Sequence, residues 1–145
     1  MVVGKPLPPD HRVMRGARGR GIDQGKVTFS AFGLRPKERD LKQISVDWVE
    51  CKYAPIHAQN LEGSAARMAQ FVDPPYAVLQ VVDVRLIQLP FHKPDACEAA
   101  TKNNQCHGSI TGFLDDPVQD LALQQALANV ANKNPIFDPM NPNNT

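Results

Sequence analysis

Four side chains of the kind that bind metals or carry acid–base and thiol chemistry, His92, Cys97, Cys106 and His107, fall within sixteen positions of FHKPDACEAATKNNQCHGSITG, residues 91 to 112. Imidazole and thiolate are the preferred ligands of zinc, and a structural zinc site takes four of them in a tetrahedron. The spacing argues against such a site. Cys106 and His107 are neighbours, so on an extended strand they point to opposite faces, and neither cysteine belongs to a C-x-x-C pair. The expectation is no metal and no cofactor, with His92, Cys97, Cys106 and His107 as the set that would hold a metal if one were bound.

Two catalytic patterns can also be read. His107-Gly108-Ser109-Ile110 resembles one half of the motif of two-histidine phosphoesterases, in which one imidazole acts as base and the other as acid. The second half is missing, because His11-Arg12-Val13, His57-Ala58-Gln59 and His92-Lys93-Pro94 lack a hydroxyl residue two positions on. A phosphoesterase or nuclease would have to use His107 with His11 or His92. The structural alternative, which is favoured, has His107 opening a strand and bonding to the loop before it. Arg12 or His11, then Ser30, then Glu50 also follow the order of side chains that hold the dinucleotide in ADP-ribosyltransferases, and this order is similar to that family in nothing else. The plain alternative is surface arginines at 12 and 15 and a strand hydroxyl at 30.

Charge is unevenly distributed. Residues 1 to 42 hold ten Lys or Arg against four acids, hence +6, and the whole chain carries +1, so the remainder carries −5. RGARGRG, residues 15 to 21, spaces arginines with glycine in a way that can follow phosphates, so residues 12 to 26 are a candidate nucleic-acid contact. Few aromatic residues accompany them, and Phe29, Phe32 and Trp48 are better read as core.

The elements that must position these groups follow from periodicity. Residues 11 to 15 read as a short strand leading into a glycine-rich loop, and 27 to 35 alternate as a strand ended by Pro36. ISVDWV, 44 to 49, is the cleanest half-buried strand. Ala58, Leu61, Ala65, Met68 and Val72 share one helical face over 57 to 72, weakened at Gly63 and stopped by Asp73-Pro74-Pro75. Residues 76 to 88 read as a central or long bent strand, 107 to 113 as another, and the stretch between them as a long loop. Asp116 as N-cap, Pro117 in the first turn and Gln119 in the capping-box position start a second helix running to about Lys133. The fold expected is α+β: a single mixed or antiparallel sheet of about five strands with two helices packed on one face, spanning residues 10 to 133, after an extended leader (1 to 9) and before a Pro/Asn-rich tail (134 to 145).

With 42% hydrophobic and 21% charged residues the 145-residue chain reads as globular. It contains no window apolar enough to span a bilayer, and MVVGKPLPPD lacks the apolar centre of a secretory signal, so no membrane partner and a cytoplasmic location are expected. Three cysteines without a dense framework fit free thiols in a reducing compartment and no structural disulfide.

Several stretches together, DHRVMR at 10 to 15, SAF at 30 to 32, ISVDW at 44 to 48, HKP at 92 to 94 and NNQCHGSITG at 103 to 112, resemble a small family of bacterial proteins with no assigned activity. That family's pattern is SAF, then LSVNW, a His-x-Pro turn and an Asn-x-x-His strand entry. The resemblance implies that His92, Asn104 and His107 belong to the recurrent pattern and that the cysteines do not. ISVDW departs from it, with Asp47 where the family has Asn. The expectation drawn is a binding or adaptor module for another protein, in a bacterial conflict or regulatory system, rather than an enzyme. Arg12, Arg15, Arg18, Arg20, His92, Asn104 and His107 are its candidate contact residues.

Overall fold

A computed structural model describes residues 4 to 140; the first three residues of the leader and the last five of the tail lie outside the described residues. The chain is α+β. Five strands form one antiparallel sheet in the order β5-β1-β4-β7-β6, namely β1 (Arg12–Gly16), β4 (Ile44–Trp48), β5 (Tyr76–Gln80), β6 (Asp95–Glu98) and β7 (His107–Thr111). A two-stranded ribbon, β2 (Ile22–Asp23) with β3 (Lys26–Val27), occupies part of the glycine-rich segment. The helices are α1 (Leu61–Met68), α2 (Val81–Arg85) and α3 (Asp120–Ala131).

Strand alternation divides the core into two layers. Val13, Ile44, Val46, Trp48, Leu79 and Ile110 cluster with Leu123, Leu127 and Ala128 of α3 and Val81 and Val84 of α2. Met14 and Val78, one position on from members of that set, cluster instead with Ala65 and Met68 of α1. Successive strand residues point to opposite faces, so the two longer helices lie on opposite faces of the sheet rather than sharing one. The face under α3 carries the larger buried cluster. The face under α1 is covered only in part, and the candidate site lies beside that helix.

Three segments depart from their expected form. Residues 29 to 32, FSAF, make a 3-10 turn instead of continuing a strand, with the adjacent Ala31 and Phe32 both buried, a pattern that alternation cannot produce. The apolar run from 76 stops as strand at Gln80 and continues as the short helix α2; a run apolar on all sides has no period by which the two can be distinguished. The long loop contains a strand, because DACE pairs with β7 from Asp95↔Thr111 to Glu98↔Gly108.

Side-chain capping sets the start of α1 but not of α3, which begins at Asp120 behind Gln119 with no side-chain cap, so Asp116 is not its N-cap and Gln119 makes no capping box. Asn60 accepts from the Gly63 amide at 2.8 Å and opens α1 at Leu61, four residues after the expected start at 57. Gly63 is required by packing: a Cβ there would lie 2.1 Å from the Ala58 carbonyl oxygen. Asp116 accepts from the amides of Val118 and Gln119, forming the turn that leads into α3. Both sheet edges are occupied. Leu7 donates to Ala96 and Glu98 to Lys5, so the leader pairs onto β6, and Tyr76 and Phe137 exchange backbone bonds at the outer side of β5.

Candidate functional site

Beside α1 the sheet surface falls into two clefts of about 540 and 720 Å³, both lined by Lys37, Ser45, Thr101 and His107. They are therefore halves of one depression that meet over β4 and β7. Lys5, Leu41, Lys52, Tyr53 and Glu98 complete the first half. Arg35, Met68, Phe71, Val72, Asn103 and Asn104 complete the second. Each half has the volume of an ordinary small-ligand pocket, so the whole suits something elongated.

The floor is built by the β4–β7 register, which sets Asp47 opposite His107 and Ser45 opposite Ser109. Asp47 is 2% exposed and fully engaged. Its carboxylate accepts from Ser64 Oγ at 2.6 Å, Arg67 Nε at 3.1 Å and Asn104 Nδ2 at 2.9 Å. Arg67 continues to the carbonyls of Ala58, Trp48 and Val49. This network ties α1 and the 101–106 turn to the sheet; a buried charge is tolerable only with such partners.

His107 is arranged differently. Its Nδ1 lies 2.8 Å from the Ala99 carbonyl oxygen, which can only accept, so Nδ1 carries the proton and Nε2 of the neutral ring is an acceptor. Nε2 has no partner among the described residues, and no buried side-chain polar atom there lacks one, so Nε2 opens to the cleft.

The rim is cationic. Lys5, Arg35 and Lys37 make no ion pair among the described residues. The acids nearby are otherwise engaged: Glu38 with Arg15 at 2.7 Å, Asp47 with Arg67 at 2.9 Å, and Glu98 with Lys52 at 3.8 Å. Partial burial, and then the like charge of Arg15, lower the Arg35 pKa, with Glu38 opposing them; a guanidinium so placed gains from an added anion. Apolar surface adjoins these charges, with Phe71 59%, Tyr53 51% and Leu41 42% exposed.

The other candidates lie elsewhere. His92 is buried with its Nε2 2.9 Å from Asp120 Oδ1, a carboxylate that also accepts from the amides of Leu114 and Asp116 at the start of α3. His11 accepts from Trp48 Nε1 through Nδ1 at 2.9 Å. Of the three imidazoles, His11, His92 and His107, only His107 lines the double cleft. Arg12 and Glu50 do meet, at 2.6 Å, but as a salt bridge, and Ser30 is exposed on the 29–32 turn with no bond to either.

The cysteines correct an expectation outright. Cys51 and Cys106 form a disulfide, with Cα atoms 5.5 Å apart, joining the turn after β4 to the start of β7. Cys97 is the free thiol, buried, and burial followed by the charge of Asp95 pushes its pKa up, which disfavours the thiolate. The four-residue metal set is therefore dispersed, and no cluster of three or more His, Cys, Asp or Glu able to hold an ion occurs among the described residues.

The arginine segment is mostly tied into the fold. Arg15 is 1% exposed and donates to Glu38 and to the carbonyls of Ala31, Gly33 and Ser45, so no partner can reach it. Arg18 pairs with Asp73 on the surface, and the Arg20 guanidinium alone of the four has no partner among the described residues. Asn104 and His107 do line the cleft. Arg35, Lys37, Ser45 and Phe71, which complete it, carry no motif; only the basic excess of the first 42 residues pointed toward them.

Comparison with protein-family models, with curated proteins and with solved structures gives no match. No helix among the described residues is long and apolar enough to cross a membrane.

Proposed function

We propose that this chain is a small binding module that recognises another protein through the double cleft over β4 and β7. The observation that carries this reading is the pairing of cations that form no salt bridge among the described residues, Lys5, Arg35 and Lys37, with exposed apolar side chains, Phe71, Tyr53 and Leu41, around one concavity. Exposed aromatic anchors beside a charged rim are the composition of a protein-binding surface. An adaptor in a bacterial conflict or regulatory system, the role expected from the sequence, requires no more than this.

Catalysis has less support. His107 has an open Nε2, but the carboxylate paired with it across β4 and β7, Asp47, is held by Ser64, Arg67 and Asn104, and no acid–base partner is bonded to the ring among the described residues. Nucleic-acid binding through residues 12 to 26 loses Arg15 to a buried pair and Arg12 to a part-buried one, leaving Arg18, Arg20 and Lys26 on the surface. Cytoplasmic residence was expected from the lack of a spanning segment or secretory signal together with free thiols; the Cys51–Cys106 bond removes the thiol part of that argument and favours an oxidising compartment.

The test is site-specific photo-crosslinking in the native host, with the photoreactive group at Phe71 and, as control, at Gln125 on α3. A protein captured from position 71 and absent from position 125 is the expected result. Nucleic acid captured at 71, or the same protein from both positions, would contradict it.

A further inference from the structure

We infer that the partner enters the cleft as an extended acidic segment, its carboxylates at Lys5, Arg35 and Lys37 and one apolar side chain against Phe71. The inference rests on the protein-binding reading above and adds the chemistry of what is bound. It follows from charge complementarity within an elongated site.

The two halves of the depression meet at Lys37, Ser45, Thr101 and His107, so an occupant that fills both must cross that saddle. Cations stand on either side of it, Lys5 in one half and Arg35 in the other, with Lys37 common to both. None forms a salt bridge among the described residues, although the charge of Glu38 acts on Arg35, whereas Arg12 and Arg15 are each paired within the fold and Arg18 is paired on the surface. Part of the positive excess of residues 1 to 42 is thus expressed at the cleft, and Arg20 and Lys26 of the arginine–glycine segment carry the rest of it unpaired among the described residues, together with Arg39 and Lys42. The apolar wall is local: Met68 and Val72 are largely inside, and Phe71 projects beside them, offering a place for one side chain. At the saddle the open Nε2 of His107, an acceptor in the neutral ring, suits a peptide amide. An extended chain with carboxylates flanking an apolar residue matches the cations and the apolar wall that line the two joined halves.

Affinity selection of a random dodecapeptide display library on the whole protein tests this, followed by binding of the enriched peptides to a charge-reversed variant, K5E/R35E/K37E. All three positions are exposed side chains, so the variant keeps the fold, which circular dichroism checks. The expected consensus carries Asp or Glu on both sides of an aromatic or aliphatic residue. Charge reversal should weaken it by roughly tenfold or more, and Phe71→Ala should weaken it at unchanged salt dependence. A consensus without acids, or acidic peptides that bind the reversed variant equally well, overturns the inference. If no peptide is enriched while crosslinking from position 71 still captures a protein, the acidic-segment inference fails and the protein-binding reading stands. If neither gives a protein or peptide, both fail.

Discussion

Asp47 and His107 face each other directly across β4 and β7, yet they do not interact: the carboxylate is bound by Ser64, Arg67 and Asn104, and the imidazole by the Ala99 carbonyl. The pair separates what holds the cleft together from what it presents. Asp47→Ala leaves Arg67 facing a buried void without its charge partner, and should cost about 3 to 5 kcal/mol in urea unfolding. His107→Ala should cost far less, because one ring nitrogen is open to solvent, and should act on partner binding.

Arg15 and Glu38 are the second internal charge pair. Burial pushes the Glu38 carboxyl up, but the bond to Arg15, the charge of Arg15 and the amides of Ser45 and Arg35 outweigh it, so the group is held below the ordinary glutamate value. A carboxyl with a depressed folded value stabilises the fold above its unfolded pKa, and that contribution is lost as pH falls through the folded value. Stability measured against pH should therefore decline on the acid side of the ordinary glutamate range. Glu38→Gln should remove that part of the decline and cost about 3 kcal/mol at neutral pH.

The disulfide gives a chemical check. Peptide mapping without reductant should return Cys51 and Cys106 in one cross-linked fragment and Cys97 as a free thiol. The bridged residues are 55 apart, a loop whose closure is worth about 4 kcal/mol on the chain-entropy estimate, so reduction should lower the midpoint of thermal unfolding by on the order of 10 °C. Three unlinked cysteines in freshly purified protein would contradict the pairing.

The arginine segment should divide by burial. Arg18→Ala and Arg20→Ala, both on the surface, should change stability by no more than about 0.5 kcal/mol and leave partner affinity intact. Arg15→Ala should prevent stable folding, since it strands Glu38 and three carbonyl oxygens.

Much of the framework was legible because alternation and capping are local. ISVDWV gave β4 to within a residue, the strand at 107 began where expected, and Asp116 marked the approach to α3. FSAF was misread because an alternating pattern over aromatic and small residues fits a strand as well as a tight turn. DACE was missed because four residues at a sheet edge, with only the middle two buried, leave little period to detect. The candidate site was less legible still. Asp47 lies on the face of β4 that its pattern assigns to solvent, and the partners that bury it are 17, 20 and 57 residues away. The Cys51–Cys106 pair likewise has no local signal.

The most direct measurement is the footprint of the captured partner, or of an enriched acidic peptide, in backbone amide NMR spectra of this protein. The account predicts shifts confined to Lys37, Ser45, Phe71, Thr101 and His107 and their neighbours, with α3 unmoved. Shifts centred on α3 or on residues 18 to 26, with the β4–β7 cleft unchanged, would contradict it.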